Sequence, residues 1–359
     1  MAILGRTMDF ADSTIGADDA VLVTGATGFI GRSLVRTLIE RGYRNVRCLV
    51  RPSASVSKSE ELTQLHGTAV SIFKGNLLSR EDCVAATEGV AVIYHLAAGT
   101  GTKSFADAFL NSVVTTRNLL EGALTHRTLR RFVNVSSFTV YTNEDHPQPG
   151  VLDEECPAEV HPELRCDPYC FAKVKQDELV ADYGNKHGIP YVLVRPGVVY
   201  GPGKKRIHGR VGVDTFGVFL HLGGSNCIPF TFVDNCAEAI ALAGIKKGVE
   251  GQVFNVVDDD LPSSRQFLAM YKKEVSSFVS FYVPHSISYL LCLLWEKYSV
   301  WSQGQLPAVY NRRVWATSWK RTCYSNEKLK RVLGWRPNIS TGEGLRRYFD
   351  ACRLDGRNA

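Results

Sequence analysis

A tyrosine and a lysine four residues apart, Tyr169 and Lys173, form the pattern with the clearest chemical meaning. Asp167 is a good N-cap and Pro168 suits the first helical position, so the pair shares one face of a helix predicted over 169–187. Lowering the pKa of a phenol from near 10 to about 7 requires roughly 4 kcal/mol of preference for the tyrosinate. An ammonium about 5 Å away, at an effective dielectric near 20, supplies around 3 kcal/mol, and a helix N-terminus adds to it. The pair therefore predicts a proton-transfer group.

Two serines and an asparagine upstream are further polar candidates. A buried strand predicted over Arg131–Ser136 ends at Ser136 and Ser137, which places a hydroxyl at the carboxyl edge of the sheet, where open α/β folds bind ligands. A helix predicted over 105–127 carries Asn111 among apolar residues on its first turns; a surface asparagine is the alternative interpretation.

Three glycines near the start of the chain indicate the element that would position a cofactor. An apolar strand ends in Gly25, Gly28 and Gly31 and passes directly into an amphipathic helix. Such glycines permit a tight turn, a close approach of a pyrophosphate and a close helix–strand contact, while the helix start holds the phosphates. A polar residue, Arg51, follows twenty positions later. The run predicts a dinucleotide site.

Alternating strands and helices surround these motifs as far as residue 200. This alternation predicts a parallel sheet covered by helices on both faces, an α/β fold of the doubly wound Rossmann type. The predicted strands are Ala20–Thr24, Val46–Val50, Val70–Lys74, Val90–Leu96, Arg131–Ser136 and Tyr191–Arg195. The predicted helices are 32–41, 80–88, 105–127 and 169–187.

The pattern changes after residue 200, which predicts a smaller and mostly helical C-terminal substrate lobe. Residues 201–230 indicate loops, 232–245 a helix and 252–257 a strand, with helices dominating the rest. The predicted division is a flexible tail at 1–19, a dinucleotide-binding domain at 20–200 plus 231–258, and a substrate lobe at 201–230 plus 259–359.

The apolar stretch 278–295 is interrupted by Pro284, His285 and serines, so it falls short of a spanning helix. We predict no transmembrane segment. The stretch is interpreted as a helix packed in the lobe or at a dimer contact. The alternative is an interfacial helix that meets a lipid-like substrate or a membrane surface, which would make the protein a peripheral one.

Composition is ordinary for a globular protein, with 45% hydrophobic and 22% charged residues. The net charge of +6 is spread along the chain, so we expect no nucleic-acid partner. Ten cysteines without paired spacing, after a start that lacks an apolar leader, predict reduced thiols in the cytoplasm. Cys156, His161, Cys166 and Cys170 match no zinc spacing, so no metal is expected.

Five motifs in order resemble the extended short-chain dehydrogenases/reductases, the NAD-dependent epimerase/dehydratase family, with features of the 3β-hydroxysteroid dehydrogenase-like enzymes. They are the glycine run 21–31, the strands 94–98 and 135–141, the Tyr169/Lys173 pair, and the run 195–202. The resemblance extends from about residue 20 to Pro337.

The resemblance implies roles for individual residues. Tyr169 would be the general acid/base, and Lys173 would lower its pKa and hold the nicotinamide ribose. Ser137 would hydrogen-bond the substrate oxygen, with Ser136 as the alternative, and Asn111 would order a water of the proton relay. The implied cofactor contacts are Gly25, Thr27, Gly28, Phe29, Ile30, Gly31, Arg51, Asn76, Leu77, Leu96, Ala97, Ala98, Tyr169, Lys173 and Pro196.

Departures from the family pattern bear on cofactor and substrate. Arg51, with Ser53, replaces the acidic residue that grips a ribose 2′-hydroxyl, so NADP(H) is expected in preference to NAD(H), unless Arg51 merely faces solvent. Asn76 replaces an aspartate that contacts adenine. Val198 stands where many nucleotide-sugar epimerases carry asparagine, which argues against a sugar substrate. The basic run 204–210 favours a diphosphate, or is simply a solvated loop.

The leading hypothesis is an NADP(H)-preferring oxidoreductase that interconverts a secondary alcohol and a ketone on a fairly apolar small molecule. The rival is a nucleotide-sugar epimerase or dehydratase that retains its NAD(H). A non-catalytic dinucleotide sensor is a third hypothesis, opposed by the Ser137/Tyr169/Lys173 set. The resemblance also implies a homodimer through helices of the dinucleotide domain, as is common in this family.

Overall fold

The computed structural model describes residues 12–53, 60, 62, 64, 67–99, 101, 104–143, 150–204, 207–215, 217–303 and 305–356. The strands within these ranges are β1 (Ala20–Thr24), β2 (Val46–Val50), β3 (Val70–Lys74), β4 (Val90–His95), β5 (Arg131–Val135), β6 (Gly150–Leu152), β7 (Tyr191–Pro196), β8 (Val198–Tyr200), β9 (Gly212–Thr215), β10 (Val218–His221), β11 (Phe230–Phe232), β12 (Val253–Val256), β13 (Ser280–Tyr282) and β14 (Thr322–Tyr324).

Seven of these strands form one parallel sheet in the order β12-β7-β5-β4-β1-β2-β3. The chain adds β2 and β3 on one side of β1 and then crosses to the other side with β4. A crevice therefore opens where β1 and β4 end side by side, the position at which doubly wound sheets bind their ligands. The predicted fold class is confirmed.

The helices are α1 (Phe29–Glu40), α2 (Arg80–Thr87), α3 (Phe105–Phe109), α4 (Thr115–His126), α5 (Pro168–His187), α6 (Val233–Ile245), α7 (Ser264–Glu274), α8 (His285–Trp301), α9 (Arg312–Ser318), α10 (Glu327–Leu333) and α11 (Thr341–Gly356). Two layers of helices cover the large sheet. One layer contains α1 packed on α6, and the other contains α4 between α2 and α5.

Alternating side chains of β1 supply both halves of the core, as the period of a strand requires. Val21 and Val23 pack with Leu34 and Ile240 on the face under α1 and α6. Leu22 packs with residues of α2 and α4 on the opposite face. Burial on both faces explains why the strand is a continuous apolar run in the sequence.

The region after residue 200 corrects two predictions. Residues 201–230 were expected to be loops, but they hold an antiparallel pair, β9 with β10, and part of β11. The helix expected over 278–295 is displaced: β13 occupies its start, pairing parallel with β10, and α8 begins at His285. These strands form because β10 pairs with β9 and β13, and no local sequence pattern predicts that pairing.

The beginning of the described chain is attached to the main sheet layer. Ser13 forms an isolated bridge with Lys246, Thr14 donates to the carbonyl of Ile245, and Ile15 is buried. Residues 1–11 of the predicted tail lie outside the described residues. Among the helices that the structure describes, none is long and apolar enough to cross a membrane.

Candidate active site

The glycine loop after β1 has the geometry of a phosphate cradle. Gly25 has φ +69°, which favours glycine. A Cβ at Gly31 would overlap the carbonyl oxygen of Gly25, so only glycine lets α1 start this close to the strand. Gly28 is the N-cap of α1 and offers no side-chain cap, and the first turn carries no acidic residue. The N–H groups at this end suit an anion, so the residues present fit a dinucleotide.

The exit of β4 closes the other side of the crevice. The backbone N–H groups of Leu96 and Ala97 both donate to the Thr24 hydroxyl at 3.2 Å. A Cβ at Gly25 would lie 3.0 Å from the nitrogen of Ala97. The loop that carries Leu96, Ala97 and Ala98 is thus fixed directly against the glycine loop.

The remaining predicted cofactor contacts occupy the expected strand ends. Arg51 directly follows β2 and is exposed. Asn76 follows β3; its side-chain oxygen accepts from the N–H of Leu78 at 3.0 Å, while Leu77 is buried. Pro196 ends β7 and is buried. Thr27, Phe29 and Ile30 belong to the glycine loop and the start of α1, and all three are half-buried.

The start of α5 is built as its sequence indicates. Asp167 is the N-cap and accepts from the N–H groups of Tyr169 and Cys170 at 3.0 and 3.3 Å. Pro168 is the first helical residue. This cap fixes the direction in which the Tyr169 side chain leaves the helix.

Tyr169 lies against Ser137. The Ser137 hydroxyl lies close enough to the phenol to lower its pKa, and Gly101, with φ +71°, packs so closely that its Cβ would lie 2.7 Å from the Tyr169 nitrogen. Burial raises the pKa of Tyr169 to about 12, although the Ser137 hydroxyl opposes the rise. The lowered pKa predicted from the sequence is therefore wrong for this structure. The phenol is protonated at neutral pH.

Lys173 is hydrogen-bonded to other groups. Its Nζ donates to the Val135 carbonyl at 2.7 Å and to Oε1 of Gln176 at 2.8 Å. Burial lowers the pKa of Lys173 to about 8, and the carboxylate of Asp177 acts in the opposite direction. The ammonium is thus held by acceptors at the end of β5 and on its own helix.

A buried chain of polar side chains connects Lys173 to the glycine loop. Nε2 of Gln176 donates to the Thr116 hydroxyl at 2.7 Å, and Nε2 of His95 lies 2.8 Å from the same oxygen. Nδ1 of His95 lies 2.8 Å from the Thr24 hydroxyl. All four side chains are buried.

The directions of these hydrogen bonds determine the tautomer of His95. Burial lowers the pKa of His95 to about 3, so the ring is neutral. Thr116 already donates to the carbonyl of Ser112, so Nε2 of His95 must carry the hydrogen and Nδ1 must accept from Thr24. Because Gln176 and His95 both donate to Thr116, the donor direction reverses there. The chain therefore holds Lys173 in place without relaying protons along its length.

A second buried cluster separates the two candidate serines. Asp177 accepts from Ser136 at 2.8 Å and from Asn134 at 2.9 Å, and it pairs with Arg195 at 3.1 Å. The hydroxyl of Ser136 is thus directed into the structure, whereas Ser137 faces Tyr169. Sequence analysis singled out neither Asp177 nor Gln176 as site residues. Their spacing of four and three from Lys173 on one helix was the available signal.

Asn111 lies in a single π-helical turn, Leu110–Val114, between α3 and α4. Its Nδ2 donates to the backbone carbonyl of Asp107 at 2.9 Å and to the carboxylate of that residue at 3.2 Å. A Cβ at Gly99 would lie 3.3 Å from the Cβ of Asn111. The residue thus neighbours the loop that covers Tyr169, and π turns are frequent at functional sites.

The basic run after β8 has one cation near the glycine loop. Nζ of Lys204 lies 5.2 Å from the centre of the Phe29 ring. Arg210 instead donates to the Thr317 carbonyl at 2.6 Å and to the Tyr324 hydroxyl at 3.1 Å. Residues 205 and 206 of that run lie outside the described residues.

A pocket of about 700 Å³ opens beside α1. Phe29, Ser33, Pro202 and Asp234 are among its lining residues. Of the predicted site residues, Phe29 lines this pocket and Tyr169 does not. The pocket is therefore not the crevice that holds Tyr169. Among the described residues, no group of three His, Cys, Asp or Glu side chains is arranged to hold a metal ion.

Comparison with known proteins agrees with this geometry. The chain is 25% identical over 339 residues to a 2-alkyl-3-oxoalkanoate reductase of Stenotrophomonas maltophilia, covering 91% of this chain and 97% of the relative. It is 26% identical to 3beta-hydroxysteroid-dehydrogenase/decarboxylase isoform 1 of Arabidopsis thaliana, covering 92% and 79%. The crystal structure of UDP-glucuronic acid 4-epimerase from Bacillus cereus, in complex with UDP-glucuronic acid and NAD, superposes with a TM-score of 0.70 at 22% identity, covering 93% and 99%.

The model of the NAD dependent epimerase/dehydratase family matches residues 21–256. That span begins in β1 and ends at the end of β12, so it includes the whole seven-stranded sheet. The resemblance drawn from the motifs is confirmed. The chain is an enzyme of the oxidoreductase/epimerase type and belongs to the NAD dependent epimerase/dehydratase family.

Proposed function

We propose that this protein interconverts a secondary alcohol and a ketone, with Tyr169 as the acid/base and Ser137 as the hydrogen-bond donor to the substrate oxygen. The observation that carries the proposal is the position of the Ser137 hydroxyl at the carboxyl end of β5, close enough to the Tyr169 phenol to favour its ionised form. Two neighbouring hydroxyls, each with its own proton, can both donate to a single carbonyl oxygen. This is the arrangement that proton transfer to that oxygen requires.

At neutral pH the Tyr169 phenol is in the protonated form that reduction of a ketone requires. The phenol of Tyr169 is neutral and can donate its proton as negative charge develops on the carbonyl oxygen. The carbon of that carbonyl gains a hydride, the oxygen gains the Tyr169 proton, and the tyrosinate is then reprotonated from solvent. When bound, the nicotinamide supplies the hydride or accepts it in the reverse reaction. Lys173 lies one helical turn away and would hold the ribose.

A preference for NADP(H) over NAD(H) follows from Arg51. The residue is exposed, directly after β2, beside the glycine loop. A guanidinium there would pair with a 2′-phosphate, whereas an acidic residue would hold a free 2′-hydroxyl. Ser53 would add a second donor, and Asn76 would face the adenine.

We assign residues 20–200 plus 231–258 to cofactor binding and residues 201–230 plus 259–359 to the substrate lobe. A fairly apolar substrate is supported by Val198 and by the similarity to an oxoalkanoate reductase. All ten cysteines are free thiols, which supports a reducing compartment such as the cytoplasm. A homodimer through helices of the cofactor-binding part remains a prediction.

The rival function is a nucleotide-sugar epimerase or dehydratase, supported by the family description and by the fold of the UDP-glucuronic acid epimerase. A screen of secondary alcohols, ketones and UDP-sugars against both cofactors separates the two. The proposal expects a change in nicotinamide absorbance with an apolar alcohol or ketone, and freely exchanging cofactor. Turnover of a UDP-sugar with no net absorbance change, by protein that purifies with its cofactor, would establish the rival.

A further inference from the structure

Helix α8 carries its large apolar side chains on the side that faces solvent. The exposed residues follow spacings of three and four along one face of the helix: Ile287, Leu290, Leu291, Leu294, Tyr298 and Trp301. Leu290 and Leu294 are 51% and 54% exposed, and Trp301 is 78% exposed. We call these six residues the apolar face.

The opposite side of the same helix contacts the protein through small residues. Ser288, Cys292 and Ser299 are its buried residues. Ser288 accepts from the indole nitrogen of Trp315 at 2.9 Å, and Ser299 donates to the carbonyl of Leu306 at 2.6 Å. A helix at the surface of a water-soluble domain normally has the reverse arrangement, with its apolar stripe towards the core.

The segments before and after the helix in the sequence also expose apolar side chains. Val279 and Phe281 precede the helix on and beside β13, and both are exposed. Leu306, Val309 and Tyr310 follow it and are exposed as well. An exposed apolar face of this size on one helix marks an interaction site. The tryptophan and tyrosines at one end of the helix are the residue types that favour the boundary between lipid and water.

The charge of the residues around α8 indicates what kind of partner the apolar face binds. Residues 262–321, which include α8 and the segments beside it, contain two Glu and eight Lys or Arg, and the remaining chain has equal numbers of basic and acidic residues. Two of the eight, Arg312 and Arg313, pair with Glu296 and Glu159. The whole net charge of +6 therefore resides in this part of the sequence. Lys297 is exposed on α8 itself, and the guanidinium of Arg265 lies 5.3 Å from the ring centre of Tyr282, next to the helix.

We propose that the apolar face binds the surface of a bilayer that contains anionic phospholipids, with α8 lying in the plane of the interface. An apolar stripe beside basic residues is the combination that such surfaces attract. A two-fold contact between two copies would bring two apolar faces together, but it would also oppose two strongly basic regions. The charge thus favours the membrane over a second copy.

Vesicle flotation tests the proposal with purified full-length protein. The wild type is mixed with vesicles of phosphatidylcholine plus phosphatidylserine, and separately with vesicles of phosphatidylcholine alone. Leu290→Ser/Leu294→Ser removes two exposed leucines, and Leu354→Ser, at an equally exposed leucine on α11, is the matched control. Thermal unfolding midpoints show that each variant remains folded.

The wild type and the Leu354→Ser control should float with the anionic vesicles, and less so as salt rises. The double variant should bind about tenfold more weakly for each leucine, and Lys297→Glu should weaken binding about fivefold or more. Equal binding of the double variant and wild type would overturn the proposal. So would equal binding to both vesicle types, or a concentration-dependent dimer in ultracentrifugation that the double variant abolishes without any vesicle binding. The assay contains neither cofactor nor substrate, so its outcome is independent of the proposed reaction.

Discussion

Replacement of Gln176 should shift the pH dependence of the enzyme, because this side chain is one of two acceptors for the Lys173 ammonium. Gln176→Met keeps the length of the side chain but removes the 2.8 Å bond and leaves the Val135 carbonyl as acceptor. A hydrogen bond to a charged group contributes about 1.5–3 kcal/mol, and one pKa unit corresponds to about 1.4 kcal/mol. The loss disfavours the charged form, so the pKa of Lys173, about 8 in the structure, should fall by about one unit or more.

The alkaline limb of kcat/KM against pH should therefore move to lower pH in Gln176→Met. Gln176→Glu places a carboxylate beside the ammonium, so the same limb should move to higher pH. Shifts of the alkaline limb in opposite directions would distinguish an electrostatic effect from a general loss of structure. Limbs that coincide with wild type in both variants would refute the role of this hydrogen bond, and two shifts in the same direction would refute its electrostatic origin.

Three further predictions concern other parts of the site. Arg51→Asp should reverse the preference of kcat/KM from NADP(H) towards NAD(H), and unchanged selectivity would show that Arg51 faces solvent only. Gly31→Ala should abolish dinucleotide binding in titration calorimetry, because the new methyl would overlap the Gly25 carbonyl; retained affinity would contradict the geometry of the loop. Asp177→Asn should lower the free energy of unfolding by about 3–5 kcal/mol in urea, because it leaves buried Arg195 without a charged partner. Asp182→Asn, which removes an exposed ion pair with Lys186, is the control and should change stability little.

The sheet was predictable because buried parallel strands are continuous apolar runs in the sequence. The bounds predicted for β1, β2 and β3 agree with the structure, and β4, β5 and β7 differ by one residue at the C-terminal end. The helix predicted over 105–127 is present, but it contains the π turn at Leu110–Val114. That turn depends on contacts with the loop after β4, which local sequence does not show.

The support for Lys173 was not predictable from spacing alone. Gln176, Thr116, His95 and Thr24 come from four elements, and only the order of the strands brings them together. The pKa of Tyr169 was predicted in the wrong direction for a related reason. The spacing of Tyr169 and Lys173 indicates a nearby ammonium, but it shows neither the burial of the phenol nor the acceptors that hold Lys173.

Turnover and cofactor binding by Tyr169→Phe, measured on the same preparation, show whether the phenol is the acid/base. Turnover should fall by a factor of about 10² to 10⁴, the usual contribution of a general acid, while cofactor affinity stays near that of wild type. A Tyr169→Phe variant that retains full turnover would contradict the assignment of the phenol as the acid/base.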